Sequence, residues 1–233
     1  MEQTPRTRLE NIRQRFVEVG IEALSTEETL ELLFSYISPR TDNRALSETV
    51  LNKYGSLRHL LSSSVRQLQT VGGLNESAAV FLSLVGQTGR QMFLEGMEHY
   101  PDMFAEACDI GRYFMELVRG QPWETLHVLC LSGNTFLSCY SLDGAEPVRR
   151  ALEAALETAA DNVAVCRRQT GGLVALSEHD HALSQKLRAA LDTVRVALRD
   201  YVVVSDDDFV SLSESVSGSA SGKNGVIIDY APF

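Results

Sequence analysis

Five residues in the second half of the chain carry side chains that can do chemistry: Glu124, Arg167, Gln169, Ser177 and Asp180. The carboxylates can take up protons or bind a cation, and an arginine supplies a fixed positive charge. Ser177 stands before a predicted long helix, so helix capping explains its hydroxyl better than nucleophilic catalysis does. Arg167 and Gln169 are two residues apart after a short apolar strand, so both are expected to point to one side.

Motifs in both halves of the chain can be compared with known families. In the N-terminal half they are Leu9-Glu10-Asn11-Ile12-Arg13-Gln14-Arg15-Phe16, Leu30-Glu31-Leu32-Leu33-Phe34, Ile37-Ser38-Pro39-Arg40-Thr41-Asp42 and Tyr54-Gly55-Ser56-Leu57. Downstream they are Gly120-Gln121-Pro122-Trp123-Glu124 and Ser177-Glu178-His179-Asp180-His181-Ala182-Leu183. Over roughly residues 5–213 the sequence resembles the RadC family, whose C-terminal domain has the JAB/MPN metalloprotease-like fold.

The resemblance implies a role for each residue of the candidate site. In active members of the family a strand ends in His-x-His, and Ser-x-x-Asp follows after a short loop. The two histidines and the aspartate hold zinc, and a glutamate acts on the metal-bound water, whose pKa zinc lowers to about 7. In this sequence Arg167 and Gln169 fall at the histidine positions, Asp180 at the aspartate position and Glu124 at the glutamate position.

The spacing of this motif is retained, but two of its three ligands are replaced. Arginine has no lone pair to offer a cation, and glutamine is a poor zinc ligand. Cys166 is predicted to face the opposite side of the strand from Arg167. His179 and His181 lie about 100° to either side of Asp180 on a helix. We therefore expect no zinc site built from these neighbours.

Two roles remain open for Arg167. Its guanidinium could replace the lost cation between Glu124 and Asp180 and donate two parallel hydrogen bonds to a carboxylate. It could instead point into solvent. In both cases Glu124 and Ser177 are vestigial remnants of the family's active site, and neither is expected to be catalytic.

The elements that must position these residues predict an α+β fold. Residues 1–100 predict an all-helical domain with a helix-hairpin-helix-like pair at about 64–92, a capping box at Ser25-Thr26-Glu27-Glu28 and a helix stop at Gly55. Residues 101–213 predict an α/β domain, which the resemblance identifies as JAB/MPN-like (cytidine-deaminase-like). Residues 214–233 are Ser/Gly-rich at first and predict a flexible tail. The last long helix is expected to bury Leu183, Leu187, Leu191, Val194 and Leu198.

Two features of the N-terminal domain are candidates for contact with nucleic acid or a partner. The turn containing Gly72, Gly73 and Asn75 resembles a hairpin whose backbone amides hold a phosphate, with Asn75 at a glycine position. A basic cluster is formed by Arg6, Arg8, Arg13 and Arg15. However, the hairpin contains no Lys or Arg, and the formal net charge is −10. Packing of the hairpin and a solvated arginine face are therefore favoured over DNA binding.

The interpretation that follows is a RadC-like pseudoenzyme that has lost its zinc site and needs no cofactor. It would act as a non-catalytic binding or scaffolding protein, through a protein partner or self-association. The alternatives are a divergent zinc metallohydrolase and a DNA-associated protein acting through the helical domain. The sequence has neither a run of about 18 apolar residues nor the apolar core of a signal peptide. Its four separated cysteines indicate reduced thiols, which predicts a cytoplasmic protein.

Overall fold

The computed structural model describes residues 5–37, 43–121, 123–142, 144 and 146–213, with side chains from residue 7 onward. The helices are α1 (Pro5–Val19), α2 (Thr26–Ile37), α3 (Arg44–Tyr54), α4 (Leu57–Ser62), α5 (Val65–Leu68), α6 (Glu76–His99), α7 (Ala107–Val118), α8 (Pro147–Glu157) and α9 (Glu178–Asp192). The strands are β1 (Leu126–Ser132), β2 (Thr135–Ser141), β3 (Asn162–Arg168), β4 (Ala197–Val204) and β5 (Phe209–Ser211). The predicted tail at 214–233 lies outside the described residues.

The chain divides inside α6 into two compact units, Met1–Phe93 and Leu94–Phe233. The described part of the first unit is helical. Ser25 and Glu28 form the predicted capping box before α2, each side chain bonded to the backbone amide of the other at 3.0–3.1 Å. Gly55 ends α3 with a left-handed φ of 74°. Apolar side chains from α2 to α6 form its core, among them Leu30, Phe34, Val50, Leu60, Leu68 and Leu82.

The second unit is built on a mixed five-stranded sheet in the order β2-β1-β3-β4-β5. β1 is antiparallel to both β2 and β3, β4 is antiparallel to β5, and β3 and β4 are parallel. The parallel pair is connected through α9, as a parallel pair requires a crossover. The fold is therefore α+β.

Alternating residues of β1 show how the sheet is covered on both faces. Val128 and Cys130 belong to a core with α8 and α9, whereas Leu129 and Leu131 belong to a core with α7. Because successive side chains of a strand point to opposite faces, this continuous apolar run is buried on both sides. The site described below lies on the α9 face.

The end of α9 corrects one expectation from the sequence. Helical spacing predicts that Val194 and Leu198 continue the buried face formed by Leu183, Leu187 and Leu191. The helix instead ends at Asp192, and Leu198 is a residue of β4. Arg195, with a φ of 61°, reverses the chain between the two elements. Leu198 is buried in the same core as Leu183, Leu187 and Leu191. Its distance along the sequence from these residues therefore identifies a buried residue but does not show that it is helical.

Two expectations about the whole chain can be compared with the structure. The four cysteines, Cys108, Cys130, Cys139 and Cys166, are free thiols, as predicted. Among the described residues, no helix combines the length and the apolar character that a membrane span requires.

Candidate functional site

Asp180 lies in the first turn of α9, where local sequence fixes its position. Ser177 is the N-cap of this helix, and its hydroxyl accepts a hydrogen bond from the Asp180 backbone amide at 3.2 Å. In return, Oδ2 of Asp180 accepts hydrogen bonds from the Ser177 backbone amide at 2.8 Å and from the Ser177 hydroxyl at 2.6 Å. The result is a reciprocal capping box in which Asp180 is fully buried.

Side chains from β3 and β4 complete the surroundings of this carboxylate. Arg167 donates from Nε to Oδ1 of Asp180 at 2.6 Å and from Nη2 to Oδ2 at 2.8 Å. The Tyr201 hydroxyl donates to Oδ1 at 2.9 Å. Val165 pairs with Tyr201 across the two parallel strands. Arg167 lies two residues after Val165 and therefore projects from the same face as Tyr201. The pairing of Arg167 with a carboxylate, one of its two expected roles, is thus present.

The charges of this cluster follow from burial and hydrogen bonding. Burial alone would raise the pKa of Asp180, but the hydrogen bonds from Arg167 and Ser177 outweigh burial and hold that pKa well below its ordinary value. The hydrogen bond to Asp180 raises the pKa of Arg167. Burial, and then the negative charge of Asp180, raise the pKa of Tyr201. At neutral pH the site is a charged pair supported by a protonated tyrosine.

Glu124 lies beside this pair but outside its hydrogen-bond network. Leu126 pairs with Arg167 across β1 and β3, and Glu124 comes two residues before Leu126. One carboxylate oxygen of Glu124 is 4.0 Å from Nη1 of Arg167, which is too long for a hydrogen bond. Its side chain is 61% exposed. Glu124 and Arg167 line an open cleft of about 250 Å³, together with Thr125, Leu126, Leu142, Gly144, Pro147, His179 and Leu183.

Gln169 does not face this cleft in the way the sequence predicts. Its side-chain amide donates to the carbonyl oxygens of Gly171 at 3.2 Å and of Leu173 at 2.9 Å. The side chain therefore closes its own loop, in which Gly171 and Gly172 both have positive φ. Strand alternation places residues 167 and 169 on one side, and the Gln169 backbone amide still donates to the Val204 carbonyl oxygen at 2.8 Å, but its side-chain amide bonds to the loop that follows β3. Of the two positions that the resemblance assigns to histidines, residue 167 hydrogen-bonds to Asp180, whereas the described hydrogen bonds of the residue 169 side chain go to its own loop.

The residues present do not fit a zinc ion. The position nearest to Asp180 is occupied by a guanidinium, which has no lone pair and is itself a cation. Cys166 is fully buried in the core on the α7 face. His181 is exposed, and His179 only borders the cleft. Among the described residues, no three His, Cys, Asp or Glu side chains converge as a set that could hold a metal ion.

Tyr201 is a member of the site that the sequence reasoning missed. The sequence pattern assigns it only to an apolar strand with Val202, Val203 and Val204. A signal is nevertheless present, since a tyrosine hydroxyl in a buried strand requires a hydrogen-bond partner. The sequence does not show that this partner is Asp180, which lies 21 residues earlier in the chain.

The described arginines of the basic cluster are engaged in contacts within the N-terminal unit. Arg8 forms a salt bridge with Glu31, with Nε 3.0 Å from a carboxylate oxygen. Arg15 pairs with Glu28 and also donates to the carbonyl oxygen of Ala23. Arg13 donates to the Ser35 hydroxyl and lies over the ring of Tyr36. The side chain of Arg6 lies outside the described residues. Phosphate binding would have to compete with these contacts.

The turn before α6 differs from the expectation at one residue. Gly73 has a left-handed φ of 87° and Gly72 does not. Asn75 is expected to use its tolerance for a left-handed backbone, but it has no positive φ. Instead its side-chain oxygen accepts a hydrogen bond from the Ala78 amide at 2.8 Å, as a helix N-cap does. Asn75 therefore has a local structural function at the start of α6.

The fold and the Ser-x-x-Asp cap define the class of protein. A mixed sheet covered on both faces by helices, with that cap opening the helix after β3, is consistent with a JAB-like domain. Residues 104–218 match the sequence model of the RadC-like JAB domain. UPF0758 proteins align with 88% of this chain and 94% of their own length: the one from Shewanella woodyi is 25% identical, the one from Fusobacterium nucleatum 22% and one from Xanthomonas oryzae 28%. The chain belongs to the RadC family.

Proposed function

We propose that this chain is a pseudoenzyme of the RadC family, in which an internal ion pair replaces a catalytic zinc ion. It serves as a non-catalytic binding or scaffolding protein, in contact with a protein partner or a second copy of itself. The observation that carries the proposal is the saturation of the Asp180 carboxylate, which accepts hydrogen bonds from Arg167, Ser177 and Tyr201.

Saturation argues against a metal for a simple reason. A carboxylate has about four lone-pair sites, and the groups around Asp180 supply at least that many donors. A metal ion would have to displace two charge-assisted hydrogen bonds from Arg167, which are among the strongest that proteins make. It would also have to approach a fixed positive charge. A catalytic zinc site normally has three protein ligands, whereas the three positions at which the family carries its ligands are occupied here by Arg167, by Gln169 and by the saturated Asp180.

A divergent zinc hydrolase that uses Glu124 and Asp180 is the main competing function. It requires Arg167 to leave Asp180, and that would deprive a buried carboxylate of its countercharge until a metal ion bound. A DNA-associated role through the N-terminal unit is the other alternative. The salt bridges of Arg8 with Glu31 and of Arg15 with Glu28 weigh against it. So does Asn75, which caps a helix in the turn that resembles a helix-hairpin-helix.

The deciding experiment is metal analysis of the full chain purified without chelators. We expect far less than one zinc per chain, with no gain on dialysis against zinc followed by buffer exchange. A zinc protein taken through the same steps shows that the procedure retains bound metal. A stoichiometric zinc ion that is lost in Asp180→Ala, in protein that circular dichroism shows to be folded, would overturn the proposal.

The DNA alternative is tested by titrating a short duplex at several salt concentrations. Binding through phosphate contacts should tighten steeply as salt is lowered. We expect no measurable affinity at the lowest salt concentration. Tight, salt-dependent binding that is lost on replacing Arg13, whose guanidinium contacts the Ser35 hydroxyl and the Tyr36 ring, would establish the alternative instead.

A further inference from the structure

Arg167 has a hydrogen-bonding group that the pair with Asp180 does not use. The pair engages Nε and Nη2, and Nη1 makes no hydrogen bond among the described residues. Nη1 is turned towards Glu124, at 4.0 Å, and Arg167 lines the cleft. The arginine side chain is 17% exposed, so Asp180 fixes its position while one end remains open to solvent. This is a pre-positioned donor for an oxygen of a small ligand.

Glu124 places an acceptor opposite this donor. The 4.0 Å between its carboxylate and Nη1 is too long for a direct hydrogen bond. A ligand that lies alongside the two groups in the cleft can contact both, with an acceptor facing the guanidinium and a donor facing the carboxylate. The pair of Arg167 and Asp180 is neutral as a unit, so among the described lining residues Glu124 carries a negative charge that this pair does not balance. A lone anion is therefore disfavoured, whereas a ligand with both charges matches the two groups.

The remaining walls indicate the size and polarity of the ligand. Leu126, Leu142, Pro147 and Leu183 provide apolar surface, and the cleft has a volume of about 250 Å³. Clefts for drug-sized ligands occupy roughly 300–1,000 Å³. This one suits a smaller molecule with a compact apolar part.

We propose that this cleft binds a free α-amino acid with an aliphatic side chain such as leucine. Its carboxylate accepts from Nη1 of Arg167, its ammonium group donates to Glu124, and its side chain lies against Leu126, Leu142 and Leu183. An internal residue of a peptide does not provide these contacts from its backbone, because its α-amino and α-carboxyl groups are both in amide bonds. The inference rests on the proposed pseudoenzyme site, in which Arg167 and not zinc is bound to Asp180, and it adds a small-molecule ligand to the protein contacts proposed for the chain.

The test is an NMR titration of the labelled full chain with L-leucine at millimolar concentrations. We expect saturable shifts at the cleft residues. Glu124→Gln should weaken binding by about tenfold or more, because it removes a charge-assisted contact. Glu157→Gln, an exposed glutamate at the end of α8 and outside the cleft, is the matched control and should leave the affinity unchanged.

Ligand variants separate the contributions of the two charges. N-acetyl-leucine lacks the ammonium group and leucine methyl ester lacks the carboxylate, so each should bind about tenfold more weakly than leucine or worse. Absence of saturable leucine binding overturns the inference, as does equal affinity for N-acetyl-leucine, or for the wild type and Glu124→Gln. Zinc analysis is independent of these results. A metal-free protein that binds no amino acid would contradict this inference alone, whereas stoichiometric zinc would contradict the pseudoenzyme proposal.

Discussion

The guanidinium of Arg167 binds the carboxylate of Asp180 through two parallel hydrogen bonds, 2.6 Å from Nε and 2.8 Å from Nη2. Asp180 is fully buried and Arg167 is mostly buried. A pair of this kind is costly to break from one side, because the remaining charge is left without compensation in a low-dielectric environment. The predictions that concern the site follow from this cost of removing only one of the two charges.

Replacing Arg167 with alanine should destabilise the protein by about 3 kcal/mol, the lower end of the range for an orphaned buried charge. Ser177 and Tyr201 still bind Asp180, which is why we expect the lower end. The measurement is the free energy of unfolding from urea denaturation at neutral pH. A change below about 0.5 kcal/mol, the usual range for surface substitutions, would favour the solvent-facing alternative for Arg167.

Two controls accompany this measurement. Adding Asp180→Asn to Arg167→Ala removes the orphaned charge, so the double variant should be more stable than the sum of the two single effects predicts. Arg149→Ala removes an arginine that pairs with Glu146 and Glu153 on the exposed face of α8. It should change stability little, because exposed ion pairs contribute little.

The acid limb of the stability curve should report on Asp180. The pKa of this carboxyl is lowered in the folded protein, so the unfolded chain binds the proton more readily. Its contribution is therefore fully present above the ordinary carboxyl pKa of about 3.9 and is lost as pH falls further. The free energy of unfolding of the wild type should fall towards that of Asp180→Asn between about pH 5 and the acid limit.

Asp192→Asn serves as the matched control for this pH series, since Asp192 is an exposed carboxylate at the other end of the same helix. Its difference from the wild type should not follow the acid dependence seen with Asp180→Asn. If the gap between wild type and Asp180→Asn stayed constant from neutral pH into acid, Asp180 would not hold a buried charge in the folded state.

Tyr201→Phe tests the third donor to Asp180 while retaining the ring in the core. The loss of one hydrogen bond to a charged group should cost about 1.5–3 kcal/mol of unfolding free energy. Urea denaturation measures the loss, and the carboxyl ¹³C shift of Asp180 shows whether its pKa rises, as it should when a donor is removed. Unchanged values of both would mean that the hydroxyl contributes nothing to the carboxylate.

Local features of the site are predictable from sequence because few residues determine them. Ser177 is recognisable as an N-cap from its place before an apolar periodic segment, and the Ser25 capping box is recognisable in the same way. The choice between a paired and a solvated Arg167 cannot be made from sequence, because the distance to Asp180 depends on how β3 and α9 pack. The chemistry of arginine limits its side chain to a paired or a solvated state, and the packing of β3 against α9 gives the paired state.

Other sequence-based expectations fail because they depend on where an element ends. Strand alternation assigns Gln169 to the side of Arg167, yet β3 ends at Arg168 and the side-chain amide of Gln169 bonds to the loop that follows. Spacing assigns Leu198 to a helix, although a left-handed residue at Arg195 separates it from α9. Buried apolar residues of a strand can imitate helical spacing when they follow a helix closely.

The contacts of Gln169 give a further prediction. Gln169→Ala removes two hydrogen bonds that close the loop between β3 and α9, without touching Arg167 or Asp180. Amide hydrogen exchange over residues 170–176 should accelerate, while exchange in the strands stays the same, because local opening does not require global unfolding. Gln185→Ala, on the exposed face of α9, is the control. Equal exchange in this loop for both variants would show that the amide does not order it.

Gly86 offers a prediction in the N-terminal unit that opposes helix propensity. It lies within α6, where alanine would ordinarily stabilise by about 1 kcal/mol. A Cβ at this position would clash with the carbonyl oxygen of Leu61, a backbone atom that cannot rotate away. Gly86→Ala should therefore destabilise by about 1–3 kcal/mol, as overpacking does. Gly89, three residues further along the same helix, has open space within 4 Å of the position that an alanine methyl group would occupy, so Gly89→Ala should stabilise. Thermal or urea unfolding measures whether each variant is more or less stable than the wild type. A stabilising Gly86→Ala would mean that α4 and α6 do not approach as closely as described.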